Sequence, residues 1–114
     1  TLGSDYPASW IGLNGLDPLY NIEMALTRQP AGDADYPVQP PEDERIALAR
    51  AIRGYTLDAA WQLRLEDEIG SIEPGKQADL VVLDENLFEL DPYAIHKADV
   101  VMTLVDGAVV YRAP

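Results

Sequence analysis

Two apolar, β-branched runs meet at Asp106-Gly107 in the stretch VVMTLVDGAVVYR. An Asp-Gly pair between such runs predicts a two-residue β-hairpin, because the favoured turn needs positive φ at its central residues. Further upstream, Pro74-Gly75 is a type II turn signal, since proline fixes the first central residue and glycine accepts positive φ at the second. The run LVVL that follows has no polar face and is predicted to form a short buried strand. These features predict a small antiparallel sheet in the C-terminal part of the chain.

The preceding part of the chain has helical periodicity instead. An acidic or hydroxyl residue at the start of a segment can cap free amides, and a proline there supplies a helical φ. After the start at Asp17-Pro18, an apolar stripe continues until Pro30, which ends the first predicted helix. The second predicted helix, which begins near Pro41, ends near Gly54. The chain is therefore predicted to be α+β, with helices first and the sheet last. The predicted helix starts are Asp17-Pro18, Pro41, Thr56 as an N-cap, and a single turn at Asp91-Pro92.

Charge and composition exclude several kinds of partner. The 114 residues carry 20 Asp and Glu against 8 Lys and Arg, so a phosphate backbone would be repelled and no nucleic acid partner is expected. The absence of cysteine excludes disulfides and thiolate metal sites. No apolar run approaches the roughly 20 residues of a membrane span, so no membrane partner is expected. Because the absence of cysteine suits a reducing compartment, a cytoplasmic location is expected.

An ordered set of short motifs extends over nearly the whole chain. The pieces are GSDYP from Gly3, DPL from Asp17, TR at Thr27, YTLDAA from Tyr55, GSIEPGKQADLVVLD from Gly70 and TLVDGAVVY from Thr103. Each piece alone is weak, but their order and spacing are specific. Together they resemble the C-terminal end of metal-dependent amidohydrolases, in the amidohydrolase family 3 branch.

The resemblance implies a longer parent protein, with a (β/α)8 TIM barrel that carries the metal site and a small β-sandwich. In this interpretation residues 1–68 are the end of the barrel domain, with strand 8 and its following helices, and residues 69–114 are the C-terminal strands of the sandwich. The implied activity is hydrolysis of a non-peptide C–N bond in a small-molecule amide by metal-activated water. The implied cofactor of the parent is a divalent metal, with zinc as the family default, and the expected assembly is a homo-oligomer. The fragment alone is expected to bind no metal and to be inactive.

Asp5 is the candidate site residue, both as a catalytic group and as a metal ligand. By resemblance it lies at the end of the last barrel strand, approaches the metal, and accepts the proton of the attacking water before passing it to the leaving amine. Local sequence alone favours a turn-capping Asp5, since Ser-Asp before Tyr-Pro is ordinary turn material, and the motifs downstream reverse this preference. Ser4 has no nearby base to activate it. The one histidine, His96, stands beside Lys97 and is predicted to be a solvated surface residue.

Two other functions are compatible with parts of the sequence. One is a non-catalytic, β-rich interaction module whose sheet edges pair with a partner strand. The other is a metal-free hydrolase that uses a carboxylate pair from Asp33, Asp35 and Glu42 to Glu44. If the chain is a fragment, apolar side chains around Ile22 and Trp61 are expected to be exposed and to promote association.

Overall fold

A computed structural model of the chain describes residue 2 and residues 12–114. Within these ranges the helices precede a three-stranded antiparallel sheet, so the predicted α+β arrangement is confirmed. The helices and strands are α1 (Pro18–Thr27), α2 (Leu48–Tyr55), α3 (Leu57–Leu63), β1 (Leu80–Leu83), β2 (Val100–Val105) and β3 (Ala108–Arg112). Short 3₁₀ helices cover Gly12–Leu16, Glu42–Glu44 and Pro92–Lys97.

Helix α1 begins as its sequence predicts. The Asp17 carboxylate accepts a hydrogen bond from the Leu19 amide at 2.8 Å, and Pro18 occupies the first turn. The helix ends at Thr27 and is capped by Arg28, whose backbone is left-handed with φ of 58° and whose amide donates to the Met24 carbonyl at 2.8 Å. This hydrogen bond satisfies one of the carbonyls that the last turn would leave free.

The second helical region differs from its prediction at its start, while its end at Tyr55 agrees with the predicted end near Gly54. Only a 3₁₀ turn follows Pro41, and α2 itself starts at Leu48. Thr56 does not cap α3, because its hydroxyl donates back to the Ile52 carbonyl at 3.0 Å. A threonine hydroxyl can serve the preceding turn instead of the following one, and its position between two abutting helices allows either choice.

The sheet has the order β1-β2-β3 with antiparallel pairing throughout. Val82 lies opposite Met102, and Thr103 lies opposite Tyr111. The predicted hairpin turn is confirmed, since Asp106 and Gly107 have φ of 48° and 77°. The prediction of β1 as a buried strand is wrong for the described chain, because Val81 is 60% exposed on an edge strand with one neighbour.

The core joins the helical part to the segments that flank β1 and β2. It contains Ile22, Ala51, Leu87, Ile95 and Ala98. The expectation that Ile22 is exposed is therefore wrong, because the 3₁₀ helix Pro92–Lys97 covers that face of α1. Trp61 is 68% exposed as expected. Within residue 2 and residues 12–114, no helix has the length and apolarity needed to cross a membrane.

Candidate functional site

Asp5 and Ser4 lie outside the described residues. Their nearest described neighbour in the chain is Leu2, whose amide donates to the Gly54 carbonyl at 3.3 Å. A Cβ on Gly54 would come within 3.2 Å of Leu2 Cγ, so the missing side chain gives Leu2 its space. The C-terminal end of α2 therefore holds the chain three residues before Asp5.

Polar side chains lie at the start of α1 and at the end of α2. The Asn21 amide donates to the carbonyls of Gly15 at 2.8 Å and Asp17 at 3.1 Å, which closes the turn that leads into the helix. The Tyr55 hydroxyl is buried and has no hydrogen-bond partner among the described residues. Burial raises the pKa of the Tyr55 phenol.

A buried carboxylate and the single histidine form a pair that sequence reasoning missed. Glu23 of α1 is fully buried, and its Oε2 lies 2.6 Å from His96 Nδ1. The same oxygen accepts the His96 backbone amide at 3.0 Å, and Oε1 accepts the Gly32 amide at 2.9 Å. The prediction of a solvated His96 is wrong, because its side chain is only 19% exposed and is held by Glu23.

The sequence contained a signal for this pair. Glu23 is four residues after Leu19 and three before Leu26, which places it on the apolar face of α1. A charged side chain on a buried face needs hydrogen-bond partners, because an isolated buried charge is very costly. The sequence could indicate that Glu23 has a partner, but a partner 73 residues away was visible only in the structure.

Gln29 extends this polar region through the loop that follows α1. Its side chain is almost fully buried and donates to the carbonyls of Ala34 at 2.8 Å and Tyr36 at 2.6 Å. Its Oε1 accepts the Tyr93 hydroxyl at 2.6 Å. Because Tyr93 belongs to the 3₁₀ helix Pro92–Lys97, Gln29 and Glu23 hold the same short helix from two points.

Arg28 fixes the other side of this loop. Its guanidinium donates to the carbonyls of Gln39 and Pro40, both at 2.9 Å, and lies 3.3 Å from the Glu44 carboxylate. Arg28 therefore holds the loop after α1 at Gln39 and Pro40. An open concavity of about 490 Å³ lies beside it, lined by Met24, Arg28, Gln29, Pro30, Tyr36 and Gln39.

The carboxylates of the metal-free alternative do not form a shared pocket. Asp33 and Asp35 are exposed in the loop, and Glu44 is paired with Arg28.

Elsewhere, Asp58 of α3 accepts from Arg53 at 2.7 Å and lies 3.1 Å from Arg50. The Arg53 hydrogen bond is the main cause that lowers the pKa of Asp58. In the described ranges, no three His, Cys, Asp or Glu side chains converge in a group able to hold a metal.

Comparison with known proteins gives matches along almost the whole chain. The sequence model of the amidohydrolase family matches residues 1–111. Putative amidohydrolase YtcJ of Bacillus subtilis (strain 168) is 31% identical over 110 residues, which are 96% of this chain and 20% of that protein. N-substituted formamide deformylase of Arthrobacter pascens is 32% identical over 112 residues, which are 98% of this chain and 19% of that protein.

A solved structure gives a consistent match. The amidohydrolase from Thermotoga maritima MSB8 superimposes with a TM-score of 0.52 and 34% sequence identity, over 70% of this chain and 22% of that chain. The present chain thus spans about one fifth of the length of each of these relatives.

Proposed function

Because the chain belongs to the amidohydrolase family, we propose that it is the C-terminal part of a metal-dependent hydrolase that cleaves a C–N bond other than a peptide bond. The observation that carries the proposal is the family match over residues 1–111. Similarity to a deformylase of N-substituted formamides supports a small amide as the substrate class. The proposed parent contains a TIM barrel, whose end is residues 1–68, and a small β-sandwich, to which residues 69–114 contribute.

Asp5 is the proposed catalytic residue of this chain. Its carboxylate accepts a proton from the attacking water, whose oxygen forms a bond to the substrate carbon. When the C–N bond breaks, the same proton passes from Asp5 to the leaving nitrogen.

The described residues do not fit a metal site by themselves, since no suitable group of three side chains converges there. In the proposal a divalent metal, with zinc as the expected ion, is held by Asp5 together with residues of the parent beyond this chain. A homo-oligomeric parent in the cytoplasm completes the proposal. Exposed apolar side chains such as Trp61 and Val110 support burial against further protein surface.

The test is Asp5→Asn in the full-length parent, assayed on N-substituted formamides and simple N-acyl amines. The substitution keeps the side-chain size but removes the base. We expect kcat to fall by about 10² to 10⁴, the usual contribution of a positioned general acid or base, with little change in melting temperature. Asp33→Asn is the matched control, because it makes the same chemical change at an exposed loop residue, and it should retain full activity.

The turn-capping alternative for Asp5 predicts the opposite pattern. Asp5→Ala would then lower the stability by about 0.5 to 2 kcal/mol and leave kcat nearly intact. An Asp5→Asn enzyme with near-normal kcat would remove Asp5 from the catalytic site. Metal analysis of the purified parent tests the cofactor separately, and a fully active, metal-free parent would overturn the metal-dependent proposal.

A further inference from the structure

We propose that Glu23 and His96 are a positioning pair, which fixes the short helix before β2 against α1 and requires a proton on Nδ1 of His96. The short helix is Pro92–Lys97, and β2 starts three residues after it. The pair therefore determines how the sheet is placed relative to the helical part. This role is separate from the proposed hydrolysis and depends only on described residues.

The burial of Glu23 is the first step of the argument. A carboxylate with no solvent exposure is stable only when hydrogen bonds replace its lost hydration. Three donors are placed around it: the amide of Gly32, the amide of His96 and the ring nitrogen Nδ1 of His96. Both carboxylate oxygens are thus used, and His96 supplies two of the three contacts.

The proton on Nδ1 belongs to the proposal together with an ionised Glu23. An ionised carboxylate oxygen only accepts hydrogen bonds, so the nitrogen that lies 2.6 Å from it then donates. Nδ1 therefore carries a proton whether or not Nε2 does. The ring is further restricted by the edge of Tyr20, with centroids 6.0 Å apart, and by Gly32, where a Cβ would lie 3.4 Å from Nε2.

The apolar packing beside the pair does not by itself fix the position of the short helix on α1. Ile95 is 1% exposed and packs in the same core as Ile22, so each apolar residue is adjacent in sequence to a member of the pair. Apolar burial is not directional and would tolerate several placements of the short helix on α1. The two hydrogen bonds from His96 to one buried carboxylate allow a single placement of the short helix, because any shift leaves a buried polar group without a partner.

Nitrogen-15 NMR of the imidazole tests the proposal directly. The sequence has one histidine, so the ring signals of the 114-residue chain belong to His96 without further assignment. We expect the chemical shift of a protonated ring nitrogen at Nδ1, with a coupling to the bound proton. An unprotonated Nδ1 with the proton on Nε2 would overturn the proposal, because the Glu23 contact would then lack a donor.

Substitutions at the same position provide the second test. His96→Asn keeps an amide donor near the position of Nδ1, whereas His96→Gln carries its amide one bond further out and His96→Leu has no donor. We expect the backbone amide of residue 96, which donates to Glu23 Oε2, to keep its protection against hydrogen exchange in the Asn variant and to lose on the order of tenfold in the other two. Lys97→Asn, at the exposed neighbouring residue, is the control. Equal protection in all variants would show that His96 does not position the short helix Pro92–Lys97.

Discussion

Gly70 offers a test of how tightly α3 is packed against the turn that precedes the sheet. Its φ is +89°, and a Cβ built on it would lie 2.6 Å from Ala60 Cβ and 3.1 Å from Leu57 Cα. Gly75 has a similar φ of +96° but no atom within 4 Å of the added Cβ. The two glycines therefore share the same backbone strain and differ in the steric contact.

The magnitude follows from these two terms. An alanine at positive φ costs about 1 to 2 kcal/mol, which is the whole expected effect of Gly75→Ala. At Gly70 the added methyl must also displace backbone, and overpacking of this kind costs about 1 to 3 kcal/mol more. We therefore expect Gly70→Ala to lower the free energy of unfolding by about 2 to 5 kcal/mol in total.

Urea unfolding of the two variants measures the difference at an unchanged m-value. Adding Ala60→Gly to the Gly70→Ala variant removes the atom at 2.6 Å and should recover part of the loss, although glycine inside a helix itself costs about 0.5 to 1 kcal/mol. Equal losses for Gly70→Ala and Gly75→Ala would refute the steric argument, as would a double variant that is fully additive.

Two further predictions concern the core and the ion pairs. Ile95→Ala should lower the unfolding free energy by about 2 to 5 kcal/mol because Ile95 is 1% exposed, whereas Ile72→Ala, at 87% exposure, should change it by less than about 0.5 kcal/mol in the same urea titration. Because Arg53 lowers the pKa of Asp58, the contribution of Asp58 to stability is present above the unfolded-state pKa and is lost as the pH falls through the lowered folded-state value. The free energy of unfolding, measured in urea at several pH values from neutral to acidic, should therefore depend less on pH for Asp58→Asn than for the wild type. The same pH dependence in both proteins would contradict the assignment.

Local signals in the sequence gave correct results where a single turn decides the conformation. The cap at Asp17 and the hairpin at Asp106-Gly107 both depend on the steric and hydrogen-bonding preferences of adjacent residues. Thr56 occupies the predicted N-cap position of α3, but its hydroxyl bonds to the helix before it and not to the helix after it. A local pattern cannot choose between two such partners when both lie within the same few residues.

For the candidate site, the sequence predicted the family but missed a buried polar pair. The motif order predicted membership of the amidohydrolase family, which the match over residues 1–111 confirms. The roles of Asp5 stay predictions, because this residue lies outside the described ranges. The Glu23 and His96 pair was missed, since His96 next to a lysine has the local appearance of a surface residue.

By itself the sequence determined the α+β arrangement, the tight turns and the family, because these depend on neighbouring residues or on the order of motifs along the chain. Only the tertiary structure decided which polar groups are buried and what they contact. Glu23 and His96 are 73 residues apart, and they meet because burial of Ile22 and Ile95 brings α1 and the short helix Pro92–Lys97 together. Apolar burial has no directional preference of its own, so the position of this contact depends on the packing of the whole chain and not on any local pattern.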